Sequence, residues 1–190
     1  RDRSVSRGLG DVYKRQDMEF EQRNDVTAEE YLEMIRLKTA VLLAASLKIG
    51  ARLGGTSVED ADRLYDFGMH IGVAFQLKDD LLDVYGNAKV FGKNIGGDIL
   101  CNKKTYMLIK ALEHANADQH NQLNSWINAE TFQPAEKIAA VTELYDRIGV
   151  KAVCENKILE YSNRAMESLA AVSIAEEKKE ELKKIIENLI

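Results

Sequence analysis

The chain has 190 residues and a formal net charge of −5, so no basic stripe is available to neutralise a phosphate backbone, which argues against nucleic-acid binding. A single proline, only 7% aromatic residues, and abundant Ala, Leu, Glu and Lys favour long helices over sheets. Two distant cysteines, Cys101 and Cys154, signal neither a zinc site nor a disulfide framework, and residues 39–47, the longest apolar stretch, are about half of the ~20 needed to span a bilayer; a cytoplasmic protein without a transmembrane segment is expected.

Residues 1–15 mix arginine, serine and glycine without helical periodicity and read as a non-native or disordered leader, with a flexible basic arm as the native alternative. Residues 16–190 read as one unit. Thr27 with Glu30 forms a capping box and Gly54-Gly55 a stop, so one helix is predicted over residues 28–53. Ser57 with Asp60 opens a second and longer helix, in which Leu64, Phe67, Ile71, Phe75 and Leu82 recur at helical spacing until Gly86-Asn87. A loop with Gly86, Gly92, Gly96 and Gly97 follows. Helical patterns resume at about residues 102–115, 119–128, 135–148, 151–171 and 175–189, with Pro134 and Gly149 as punctuation and Ser173 with Glu176 as a further capping box. The class is all-α.

Chemistry concentrates on the second helix, in Phe75-Gln76-Leu77-Lys78-Asp79-Asp80-Leu81-Leu82-Asp83. At ~100° per residue, Gln76, Asp79, Asp80 and Asp83 fall within an arc of roughly 100°. On a solvated face such like-charge neighbours would cost only about 0.2–0.5 kcal/mol per pair. Lining a cleft, at an effective dielectric of ~20 and a separation of ~6 Å, each pair would repel by roughly 2–3 kcal/mol and require a cation. Phe75, Leu81 and Leu82 beside the acids favour the cleft. Oxygen ligands without His or Cys suit Mg²⁺, which in turn implies a phosphate-bearing substrate. Gly72, one turn before Gln76, either leaves room beside this face or permits close helix packing. Lys38 shares its side of the first helix with Met34, Ile35, Val41, Leu42 and Ala45, where it either snorkels or meets a partner. Lys93, in a glycine-rich loop without Walker spacing, is weak evidence for phosphate binding, and Lys103 and Lys104 follow it.

Four stretches carry a resemblance: Tyr31-Leu32 through Lys38-Thr39 to Gly50-Ala51; Phe75-Gln76 with Asp79, Asp80 and Asp83; Gly92-Lys93 to Gly97-Asp98-Ile99; and Lys103 with Thr105-Tyr106. In this order they resemble the trans-isoprenyl diphosphate (polyprenyl) synthases, a family that includes farnesyl and geranylgeranyl diphosphate synthases. The resemblance implies an antiparallel helical bundle of the isoprenoid synthase type, a homodimer, with two aspartate-rich motifs facing each other across a deep cavity. Only the second motif is matched, so the chain is expected to be the C-terminal part of such a bundle, truncated at its N-terminus and inactive alone. The resemblance implies that Asp79, Asp80 and Asp83 hold Mg²⁺ with support from Asp98. It likewise implies that Lys38, Lys93 and Lys103 contact the diphosphate of an allylic substrate, and that Lys38, Thr39 and Gln76 serve catalysis by facing the allylic cation. The expected reaction condenses an allylic prenyl diphosphate with isopentenyl diphosphate. A non-catalytic helical partner subunit and a terpene cyclase of the same fold are the alternatives. His70, His114 and His120 read as incidental.

Overall fold

The computed structural model describes residues 23, 25–87 and 95–189. The leader expected at residues 1–15 and the loop positions Gly92 and Lys93 lie outside the described residues.

The Thr27–Glu30 capping box forms in both directions and starts helix α1, Ala28–Ile35. The expected single helix is interrupted without a break: a π-helical turn, Arg36–Ala40, passes directly into α2, Val41–Leu53. The cause is legible in the burial. Along this rod Ala28, Tyr31, Ile35, Ala40 and Ala44 are buried, so the inward stripe takes a step of five residues from Ile35 to Ala40 where an α-helix would take three or four. Lys38 is thereby rotated out of the stripe that buries Met34 and Ile35, and it is exposed. Its placement on a continuous apolar face, expected from straight α-helical geometry, is corrected by that extra residue.

Gly54 and Gly55, the latter at φ +82°, end α2, and Ser57 caps α3, Val58–Tyr85, by accepting from the Asp60 N–H at 3.1 Å. Helix α3 is the axis of the molecule, with buried residues facing neighbours on both sides. On one side it runs antiparallel to α2 and the π turn. A Cβ placed on Gly68 would lie 2.6 Å from the Ala44 Cα, and one on Gly72 would lie 2.6 Å from the Ala40 Cα. Of the two readings of Gly72, close backbone packing is the one the contacts support. On the other side α3 runs antiparallel to α8, Val150–Ala170, whose Cys154, Ile158, Ser162, Ala165 and Leu169 are buried at helical spacing.

A one-turn helix, α4 (Gly97–Leu100), precedes α5 (Tyr106–His114), α6 (Ala117–Ile127) and α7 (Pro134–Ile148). Helix α5 begins four residues later than the pattern suggested, because Asn102 takes a left-handed conformation (φ +54°) and Thr105 supplies the cap. Helix α6 starts on a reciprocal Asn116–Gln119 capping box. The box expected at Ser173 and Glu176 does not form. The Ser173 N–H instead donates to Asp60 Oδ1 at 2.9 Å, and Glu176 pairs with Lys179 and Lys183 ahead of α9, Glu180–Glu187. Among the described residues there is no strand, and no helix is long and apolar enough to cross a membrane.

Candidate active site

The site is assembled where α1, the π turn, α3 and the segment after α4 converge. Asp80, on α3, is 1% exposed, and each of its oxygens is engaged. The buried Tyr31 hydroxyl on α1 donates to Oδ2 in a short hydrogen bond, and Lys103 Nζ lies 3.2 Å from Oδ1. Lys103 also donates to Asp98 Oδ2 at 2.9 Å, so a single ammonium bridges a motif aspartate and the acid that follows the glycine-rich loop. Asp83 supports this pairing from below: its Oδ2 accepts the Asp98 N–H at 2.9 Å, and its carbonyl accepts the Gly96 N–H at 2.6 Å. Asp79, the first acid of the motif, is exposed.

The electrostatics follow from this enclosure. Burial pushes the Asp80 carboxyl up to about 6, although Lys103 and Tyr31 pull it down. Burial likewise raises Asp98 against the pull of Lys103. Burial by itself would lower the Lys103 ammonium, but Asp80 and then Asp98 outweigh it and hold Lys103 above the ordinary lysine range. Four carboxylates thus stand against one ammonium among these residues, a balance that attracts further positive charge.

One turn before the acids, Gln76 Oε1 accepts a hydrogen bond from Thr39 Oγ1 at 3.2 Å, which ties α3 to the π turn. Thr39 and Gln76 are half-buried, and Phe75 beside them is 58% exposed. The structure therefore brings together Thr39, Gln76, Asp80, Asp83, Asp98 and Lys103. It leaves Lys38 and Asp79 on the exposed side of the same elements. Tyr31 is the site residue to which the sequence reading assigned no role. Its signal was weak: a phenol two turns before Lys38 in a helix, with no local hint that it would reach a carboxylate 49 positions away.

Among the described residues no three His, Cys, Asp or Glu side chains converge into a ready-made metal cage. The donor set nonetheless fits Mg²⁺, which binds through one or two carboxylates and completes its shell with water and substrate phosphates. The exposed Asp79, neighbouring Asp98 closely enough to raise its carboxyl, is the acid best placed to serve.

Residues 8–145 match the sequence profile of the polyprenyl synthetases. The chain belongs to the polyprenyl synthetase family. A relative, the short chain isoprenyl diphosphate synthase of Methanothermobacter thermautotrophicus, is 40% identical over 153 residues, 80% of this chain and 46% of that protein. A crystal structure of a geranylgeranyl pyrophosphate synthase superposes with a TM-score of 0.87 at 36% identity, covering 94% of this chain and 55% of the other. A geranylgeranyl pyrophosphate synthase from Corynebacterium glutamicum, solved with isoprenyl diphosphate and magnesium, has a TM-score of 0.84 at 29% identity, covering 94% of this chain and 50% of the other. This polyprenyl synthetase chain spans about half the length of these relatives. Family and all-α isoprenoid synthase fold both agree with what the four stretches implied.

Proposed function

We propose that the chain contributes the diphosphate-binding side of a prenyltransferase that condenses an allylic prenyl diphosphate with isopentenyl diphosphate. The observation that carries this reading is Lys103, held by Asp80 and Asp98 next to the exposed Asp79. A diphosphate entering here meets an ammonium already oriented by two carboxylates. Asp79, with Asp83 and Asp98 behind it, would hold Mg²⁺, whose charge steadies the diphosphate as it departs. Lys103, together with Lys38 and Lys93, binds the same group. The allylic C–O bond breaks with its electron pair on the departing oxygen, and the oxygens of Thr39 and Gln76 face the carbon that loses it. The isopentenyl double bond forms the new C–C bond to that carbon, and the proton it then sheds passes to the departed diphosphate. No side-chain nucleophile is required, which accords with His114 and His120 being exposed and His70 lying against Tyr161. The reading includes a homodimer and a cytoplasmic setting.

Calorimetric titration with a non-hydrolysable allylic diphosphate analogue tests it. Binding is expected with Mg²⁺, is lost with a chelator, and weakens at least tenfold in K103M. Equal affinity with and without the metal overturns the assignment.

A further inference from the structure

Lys137 lies outside the acids and is almost completely buried, at 1% exposure, in the first turn of α7. Among the described residues no carboxylate forms an ion pair with it. Its Nζ donates to Asn102 Oδ1 at 2.8 Å and stands 4.2 Å from the centre of the Phe132 ring. Asn102 donates in turn from Nδ2 to the Ile127 carbonyl at the end of α6, at 3.0 Å. Both ends of one side-chain amide are therefore clamped between two helices.

Among the described residues Asn102 is the non-glycine residue with positive φ, a conformation asparagine adopts more readily than other side chains and which its two side-chain hydrogen bonds hold here. That left-handed residue turns the chain after α4. The turn lets the Lys103 N–H reach back to the Asp98 carbonyl at 3.0 Å and sends the Lys103 side chain between Asp80 and Asp98. A methionine at 137 would fill the same space without the cost of burying a charge. What an ammonium adds is a directed, charge-assisted hydrogen bond to Asn102, with a ring face to offset part of its desolvation.

We infer that Lys137 is a positioning residue for Lys103, acting through the clamped, left-handed Asn102. The geometry stands by itself, while its consequence for substrate binding rests on the diphosphate reading above.

Competitive acylation of the lysines, read by peptide mass spectrometry, tests this on the intact chain. In K137M, Lys103 should become about tenfold more reactive as its pairing with Asp80 and Asp98 loosens, while the exposed Lys184 is unchanged and the buried Lys179 stays protected. A general loss of stability would expose Lys179 as well. N102A attacks the relay from its other end and should give the same change, and K137M/N102A should give no more than either alone. If K137M does not fold, N102A decides. Unchanged Lys103 reactivity in every variant that retains its helical circular dichroism overturns the proposal, as does a rise shared by Lys179. Altered Lys103 reactivity with unchanged affinity for the Mg²⁺-dependent allylic analogue upholds the positioning role and removes the diphosphate reading.

Discussion

Asp80 shows how much of a residue's setting lies outside its neighbours in sequence. In the sequence it is one of three equivalent acids, whereas in the fold Tyr31 and Lys103 occupy its two oxygens and solvent barely reaches it. The Y31F variant removes the donor from one of those oxygens. A buried acceptor left unsatisfied costs roughly 1–3 kcal/mol, so the variant should unfold at a lower temperature or denaturant concentration. The pH dependence has a definite sign. With its carboxyl raised to about 6, Asp80 holds a proton more firmly folded than unfolded; this favours the folded chain below the ordinary aspartate value and is lost as pH rises through about 6. Tyr31 favours the charged form, so the gap between wild type and Y31F should be widest above pH 6 and narrow towards pH 4. A gap independent of pH would show that the phenol matters only as packing. The acids were legible because their spacing confines them to one face. The partners of Asp80 were not, since Tyr31 and Lys103 reach it from distant parts of the chain and spacing carries no information about such contacts.

Elements were read well where their ends carry local chemistry and less well where packing decides. The Thr27–Glu30 box, the Gly54-Gly55 stop and the Ser57 cap gave correct boundaries because each satisfies backbone groups within a few residues. The π turn has no such mark: Arg36–Ala40 consists of residues that suit an ordinary helix, and the extra residue is visible only once the opposing face of α3 is in place. That face is set by Gly68 and Gly72. In G72A the new methyl would press on the Ala40 backbone rather than on a yielding side-chain tip, so a loss of about 1–3 kcal/mol is expected. Because Thr39 adjoins Ala40 and bonds Gln76, G72A should also weaken binding of the allylic analogue, whereas G50A, with open space around its Cβ, should do neither. Chemical denaturation and calorimetry on the two variants separate these outcomes. Equal behaviour would mean that the helix contact has slack the geometry does not suggest.

At the scale of the whole molecule, the apolar surface is unevenly distributed. Leu42 is 73% exposed, Ile49 59%, Leu53 85% and Phe75 58%, a set shared by α2 and α3 on the side away from α8. Large exposed apolar side chains grouped in this way favour association. The 190-residue chain is expected to elute as an oligomer or aggregate in size-exclusion chromatography with light scattering, and L42E/L53E should shift it towards the monomer. It should also form no detectable prenyl product by itself, because it carries one aspartate-rich motif. A monodisperse, monomeric wild type would show that this surface is tolerated by water. Fold class was legible from composition and periodicity, but this asymmetry was not, since apolar spacing alone does not say which side of a helix has a neighbour. The π turn has a consequence for the length of the rod it interrupts. The inner edge of the first rod is a measured interval, fixed at one end by the Tyr31 bond to Asp80 and at the other by the fit of Ala40 against Gly72. A relative that gained or lost one residue inside that interval could keep the hydrogen bond or the glycine contact, but its ruler would no longer reach both marks.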